Sequence, residues 1–182
     1  MPITITVPGT VLFDDERSEF YTTPKTVITL EHSLLSISKW EAVWHKAYMT
    51  RDKKTEEEMR DYLRCMTISP NSVDPLVYKA VPDSELARVA QYIEDPMTAT
   101  TIRRKDKRGG RGFVTNELIY YWMTELNIPF DPCQKWHLNR LMTLIEVCAA
   151  KKEPPKKISP TAQLRNNYAL NKARRARYHT SG

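Results

Sequence analysis

Apolar and polar positions alternate at the start of the chain and then change period. Ile3, Ile5 and Val7 point one way, Thr4 and Thr6 the other. Pro8-Gly9 makes a turn, after which Val11-Leu12-Phe13 resumes the run. Phe20-Tyr21 and Val27-Ile28-Thr29-Leu30 give two more short stretches, punctuated by Asp14-Asp15-Glu16-Arg17 and by Pro24. This pattern predicts a small N-terminal antiparallel sheet of two to four strands within residues 1–31. From residue 36 to residue 149 the spacing is mainly helical. Ser38 with Glu41, and Thr55 with Glu58, are capping-box patterns. Trp40, Trp44 and Tyr48 follow the first at i, i+4 and i+8, on one helical face. Met59, Tyr62, Leu63 and Met66 form the stripe behind the second, and Glu56-Glu57-Glu58 suit the positive end of its dipole. Asp74-Pro75 reads as an N-cap with proline at the first helical position. Asp83 opens a helix carrying Leu86, Val89, Ala90 and Ile93, which stops before Pro96.

The second half repeats the alternation between strand and helix signals. Met97 to Ile102 is rich in threonine and predicts a short strand paired with Phe113-Val114, with the basic glycine-containing loop between them as a hairpin tip. Thr115 caps a helix with Leu118, Ile119, Trp122, Met123 and Leu126. Asp131-Pro132 caps the longest one, whose stripe is Leu138, Leu141, Met142, Ile145 and Cys148. The loop Asn127 to Phe130 suits antiparallel neighbours, so residues 116–149 are expected to form a helical hairpin. After Pro154-Pro155, Ser159-Pro160 starts a last helix running to about Arg177. No internal repeat is apparent. The expected fold is therefore α+β and mostly helical. A globular domain spans residues 1–153, and a basic, exposed helical tail spans residues 154–182.

Charge sharpens that division. The 182 residues carry a net charge of +6. Residues 151–182 hold Lys151, Lys152, Lys156, Lys157, Arg165, Lys172, Arg174, Arg175 and Arg177 against Glu153, so the body is slightly acidic and the tail basic. Such a tail contacts something acidic. A second basic cluster, Arg103 to Arg111, surrounds Gly109-Gly110. Composition is that of an ordinary folded domain, 41% hydrophobic and 27% charged. No apolar run approaches membrane-spanning length, and the start lacks the basic and apolar regions of a secretory signal. Three cysteines, Cys65, Cys133 and Cys148, argue against a disulfide scaffold.

Candidate chemistry is sparse. Cys133 and His137 share a helical face, with Cys148 as a third ligand or His137 as the base of a thiol dyad. Structural zinc wants four ligands in tighter pairs, and nothing marks Cys133 as activated, so packing is the preferred reading. The paired carboxylates Asp14-Asp15 and Glu56 to Glu58 are explained by a turn and a helix N-terminus. No nucleophile-elbow, metalloprotease, calcium-loop or phosphate-cradle motif occurs, and no cofactor is expected. The aromatic stripe is either the core of a small helical domain, the weightier reading, or an interface. Tyr120 and Tyr121 cannot both face inward with Trp122, so one lies at a surface. The basic tail and the 103–111 loop lack a helix-turn-helix, zinc-finger or RNA-binding signature, which disfavours nucleic acid as the partner.

Several blocks together carry a resemblance. They are Ile37 to Lys46, Thr55 to Glu58, Asp61 to Thr67, Tyr92 to Thr101, Ile119 to Met123, Cys133 to Ile145, Pro154 to Lys157 and Asn167 to Arg174. As a set they resemble a family of small proteins of long-tailed bacteriophages, read as tail assembly chaperones, from about Val11 to Gly182. The resemblance implies a non-enzymatic protein of the host cytoplasm. Its partners would be the tape measure protein and the tail tube protein, and it would be absent from the mature virion. The hairpin 116–149 would form the body of the binding surface. Family site residues do not transfer position by position. The partner-contact candidates come from local chemistry: Trp40, Trp44, Tyr48, Tyr120, Tyr121, Trp136, Arg165, Lys172, Arg174, Arg175 and Arg177. Two alternatives stay open: a structural tail or neck subunit whose strands add edges to its neighbours, and a nucleic-acid-binding protein acting through its tail.

Overall fold

The computed structural model describes residues 2–14, 18–50, 52–69, 72–100, 113–152 and 159–178. The fold is α+β and mostly helical. Contacts divide the chain into two compact units, residues 1–150 and residues 151–182.

Unit 1 begins with four strands, β1 (Ile3–Val7), β2 (Thr10–Asp14), β3 (Glu19–Thr23) and β4 (Thr26–Leu30). β1 pairs antiparallel with β4, and β2 with β3. The two ladders are one hairpin. Val7 lies opposite Thr26 and Thr10 opposite Thr23, so two residues on each strand separate the ladders and the register carries through. The break is written in the sequence: Pro8 and Pro24 cannot donate to a ladder. Gly9 fits there because a Cβ would lie 3.1 Å from the Thr23 carbonyl oxygen and 3.2 Å from the Lys25 nitrogen, both backbone atoms that cannot step aside. Thr23 locks the junction. It is buried, its hydroxyl donates to the Thr10 carbonyl at 3.1 Å, and it accepts from the Thr10 N–H at 3.2 Å.

Helices cover only the inner half of this hairpin. Among the described residues seven lie wholly or mostly in unit 1: α1 (Leu34–Trp44), α2 (Glu56–Met66), α3 (Pro75–Lys79), α4 (Asp83–Glu94), α5 (Asn116–Glu125), the single turn α6 (Phe130–Cys133) and α7 (Leu138–Lys152). Ile5, Val7, Ile28 and Leu30 enter one core with Leu34, Ile37, Trp40, Met66, Ile119, Met123, Leu138 and Leu141. The segment leaving β4 is gripped from both sides. The Ile68 N–H donates to the Thr29 carbonyl and the Glu31 N–H to the Met66 carbonyl, both at 2.9 Å, while the Leu138 N–H donates to the His32 carbonyl at 2.7 Å. Unit 2 contains α8 (Pro160–Tyr178), with Ser159 ahead of its first residue as expected.

Five expectations change. The first helix is capped by Ser33, whose hydroxyl accepts from the Ser36 N–H, and not by Ser38. It ends at Trp44 because His45 takes a left-handed φ of 51°, so Tyr48 lies beyond the helix. Met97 to Thr100 form no strand; the Asp95 carboxylate accepts from the Met97 N–H at 2.7 Å, and this local turn competes with extended pairing. The basic loop proposed as a hairpin tip lies outside the described residues. The helix expected from Asp131 breaks at residues 134–137 before α7 begins. Its chain turns there because Ser33 and His137 bridge and Leu138 bonds to His32. The expected two-helix hairpin is interrupted as well, because α6 and the break at 134–137 intervene between α5 and α7.

Candidate functional site

The expected aromatic stripe assembles, though not by helical spacing. Trp40 stacks on Trp44 with ring centroids 6.1 Å apart, and Tyr48 returns from beyond the helix to meet Trp40 edge-on at 5.3 Å. Glu41 makes this return possible. One of its carboxylate oxygens accepts from the Tyr48 N–H at 2.7 Å and the other from the Asn116 N–H at 2.9 Å. The residue that reads as a cap partner is therefore a buried bracket between α1, the loop after it and α5. Trp40 itself is fully buried, and its indole N–H donates to the Glu58 carbonyl at 2.9 Å. It belongs to the core and offers no surface to a partner. Tyr48 stacks on Tyr62 at 4.1 Å and carries the Lys54 ammonium 4.3 Å above its ring. Burial pushes its hydroxyl above the usual phenol range.

Trp44 alone of the three reaches a groove. Its indole donates to Asp61 at 2.9 Å, which fixes the ring at the edge of a cavity of about 810 Å³ between α1, α2 and α3. Val43, Trp44, Pro75 and Tyr78 supply apolar lining; Glu56, Glu57, Arg60, Asp61, Arg64 and Lys79 supply charge. Arg60 is the strut of this wall. One of its guanidinium nitrogens donates to the carbonyls of Tyr78 and Lys79 at the end of α3 and of Val81 just beyond it, while Nε pairs with Glu56 at 2.9 Å. On α2 the capping box forms as expected. The Glu58 carboxylate accepts from the Thr55 N–H at 2.8 Å and meets Lys46 at 2.5 Å, and these contacts hold its carboxyl below the usual range. The groove is thus lined by apolar and charged side chains together, a mix that suits an amphipathic segment.

The remaining candidates scatter. Tyr120 is half-buried, donates to the Gln134 side chain at 3.0 Å and packs on Phe130. Tyr121 is the exposed member of that pair. Trp136 is half-buried beneath the Arg140 guanidinium, 4.2 Å above its ring. Arg165, Lys172, Arg174, Arg175 and Arg177 are exposed on α8, beside exposed Leu164, Tyr168, Leu170 and Tyr178.

Sequence reasoning missed a buried polar cluster. The His32 Nδ1 and the Tyr62 hydroxyl share a 2.5 Å hydrogen bond, and the His32 and His137 rings lie 5.2 Å apart. His137 Nδ1 accepts from the Asn139 N–H at 3.3 Å, so Nε2 carries the proton and donates to the Tyr92 carbonyl at 3.0 Å. The Tyr92 hydroxyl donates to buried Glu31. Desolvation, with His137 adding to it, pushes His32 down to about 3, and burial lowers His137 as well. Both rings are therefore neutral near pH 7. Histidine, tyrosine and glutamate side by side imitate a proton-transfer site, but every member is buried. The cluster fixes one arrangement of the core. Its only sequence signal was the pair Glu31-His32 directly after a strand.

The thiols are equally quiet. Burial pushes Cys65 up to about 11 and raises Cys133, the opposite of an activated nucleophile. Among the described residues no group of three or more His, Cys, Asp or Glu is placed to hold a metal ion, and no helix is long and apolar enough to cross a membrane. No protein-family model, curated protein or solved structure matches this chain.

Proposed function

We propose that this protein is a non-enzymatic tail assembly chaperone of a long-tailed phage. It binds the tape measure protein in the host cytoplasm and promotes polymerisation of the tail tube, and it leaves before the virion matures. The observation that carries this reading is the groove between α1, α2 and α3, whose lining combines Val43 and Trp44 with charged side chains of α2 and α3. A tape measure chain is a long helix with an apolar stripe that water sees until the tube encloses it. An amphipathic helix of that kind suits a lining that combines apolar and charged groups. The sequence blocks that resemble tail assembly chaperones point to the same partner.

Quantitative mass spectrometry of infected-cell lysate and of purified virions tests the reading. A chaperone is abundant in lysate, absent from virions, and co-purifies with the tape measure protein in a Trp44-dependent manner. Stoichiometric presence in virions overturns it and makes the chain a structural tail or neck subunit. Capture of nucleic acid that weakens steeply with salt would support the basic tail as a phosphate-binding element instead.

A further inference from the structure

The outer half of the hairpin presents apolar side chains to water. Val11, Phe13 and Phe20 share one side of the β2–β3 ladder and remain 60%, 51% and 78% exposed. Phe13 and Phe20 are cross-strand partners whose rings meet edge-on at 5.2 Å, so they form one continuous ridge. Counted by alternation through the junction, these positions continue the side on which Ile5, Val7 and Ile28 face the core. The ladder's other side is turned elsewhere: Leu12 and Tyr21 are half-buried, and the Tyr21 hydroxyl donates to Asp74 at the start of α3. Three large apolar side chains held together on a rigid ribbon mark an interaction surface.

Charge says what covers it. Asp14 and Glu19 are cross-strand partners at the far end of the β2–β3 ladder, so the described ridge ends in an acidic tip. A second ribbon of the same kind would bring acid against acid. Helix α8 offers the complement. Residues 160–178 hold Arg165, Lys172, Arg174, Arg175 and Arg177 and no acid. Leu164, Tyr168 and Tyr178 fall at i, i+4 and i+14, on one helical face, and are 69%, 74% and 66% exposed. Arg175, at i+11, lies on that face too, so apolar and basic groups are presented together.

We propose that the outer half of the hairpin of one copy receives helix α8 of a second copy. The apolar ridge meets the Leu164–Tyr168 stripe, and the acidic tip meets the basic C-terminal half of the helix. The contact is heterologous, each copy offering a different surface, so it propagates from copy to copy or closes into a ring. It is independent of the tape measure reading and stands or falls without it.

The test is sedimentation velocity of the full chain at low salt, up to about 100 μM, where a micromolar interface is populated. The mass should rise above that of a monomer with concentration and fall back as salt screens the charges. Glu19→Lys alone, and Arg174→Glu with Arg175→Glu, should each weaken association by about tenfold or more. Mixing the two variants should restore a mixed complex, because each keeps one intact surface and the reversed charges match. Phe20→Ser should abolish assembly while the thermal unfolding curve stays in place, since its side chain is already in water. A chain that stays monomeric throughout overturns the proposal, as does helix–hairpin closure within one copy. Association that ignores all of these substitutions overturns it equally.

Discussion

Ile5 and Ile28 face each other across the inner half of the hairpin and lose almost all contact with water. Phe13 and Phe20 face each other across the outer half and keep 51% and 78% of theirs. Both pairs belong to one ribbon with one continuous register. The strand chemistry is the same, and only the helical cover differs. An isolated two-stranded ribbon is at best marginally stable in water. The outer half therefore persists by continuity with the inner one, by the Thr23–Thr10 lock and by the Tyr21–Asp74 contact. A strand pattern states that a side is apolar; it does not state what, or which molecule, will cover it.

The largest expected effect breaks the two halves apart energetically. Ile28→Ala removes a buried side chain from a close-packed core and should cost about 2–4 kcal/mol in denaturant unfolding. Phe20→Ala, on the same ribbon, should change stability by less than about 0.5 kcal/mol, as exposed positions do. Equal costs would mean that the outer half is packed in solution, and the contrast would collapse.

That contrast also marks how far the sequence could be read. Period-2 alternation placed the strand runs, though only as two to four strands, and Pro8-Gly9 and Pro24 marked the breaks between them, because each acts through its own backbone. The Thr55–Glu58 box and the helices on Asp74-Pro75 and Asp83 were legible for the same reason. That the breaks join two ladders of one hairpin was not legible. The strand expected at Met97 fails locally, to the turn that Asp95 makes with the Met97 N–H; the failures that follow are non-local. Ser38 and Glu41 make a valid capping spacing, but Glu41 is drawn to the N–H groups of Tyr48 and Asn116, the latter 75 residues away. The stripe after Asp131 fits one long helix, yet the backbone pairing of His32 with Leu138 interrupts it. Trp40 and Trp44 share a helical face, and only the position of α2 decides that one is core and the other groove wall. The His32–Tyr62–His137 cluster draws its members from three distant segments, which no spacing rule connects.

Acid sharpens the comparison next. His32 lies directly beyond β4 and faces Tyr48, Tyr62 and His137, while Glu31 beside it holds Tyr92. Its folded pKa is depressed to about 3. The unfolded chain therefore takes up a proton as pH falls through about 6.5, and the folded chain does not until about 3. Stability is flat above that window. Within it, this residue removes about 1.4 kcal/mol per pH unit, with His137 adding in the same direction. His32→Gln should flatten the pH dependence of the melting temperature between about pH 6 and pH 4. The outer half carries no buried histidine among its described residues, so the loss falls on the inner half. A slope unchanged in His32→Gln would refute the assignment.

A smaller effect tests the junction. Thr23→Val keeps the volume but removes the hydroxyl that both donates to and accepts from Thr10. The Thr10 N–H then loses its partner beside a buried side chain, at a cost of about 1 kcal/mol. Amide exchange should quicken at β2 and β3 far more than at β1 and β4. A uniform increase would show that the ribbon opens as one piece.

The smallest change in stability gives the most local answer. Asp74 does two things at once: one carboxylate oxygen accepts from the Leu76 N–H at 2.9 Å to start α3, and the other accepts from Tyr21. Asp74→Ala would remove both and could not separate them. Tyr21→Phe removes only the phenol, and the bond it loses is exposed. Its effect on global unfolding should be a small fraction of that of Ile28→Ala, as for other surface contacts. The Tyr21 hydroxyl, whose pKa this bond with Asp74 raises, is the outer ladder's one side-chain hydrogen bond to the helical body among those described. Losing it should leave the inner ladder's amide protection untouched and lower the outer ladder's by about three- to tenfold, because local opening carries its own free energy. If the two ladders lose protection together, they are a single cooperative unit. The exposed ridge would then be as rigid as the core it extends from.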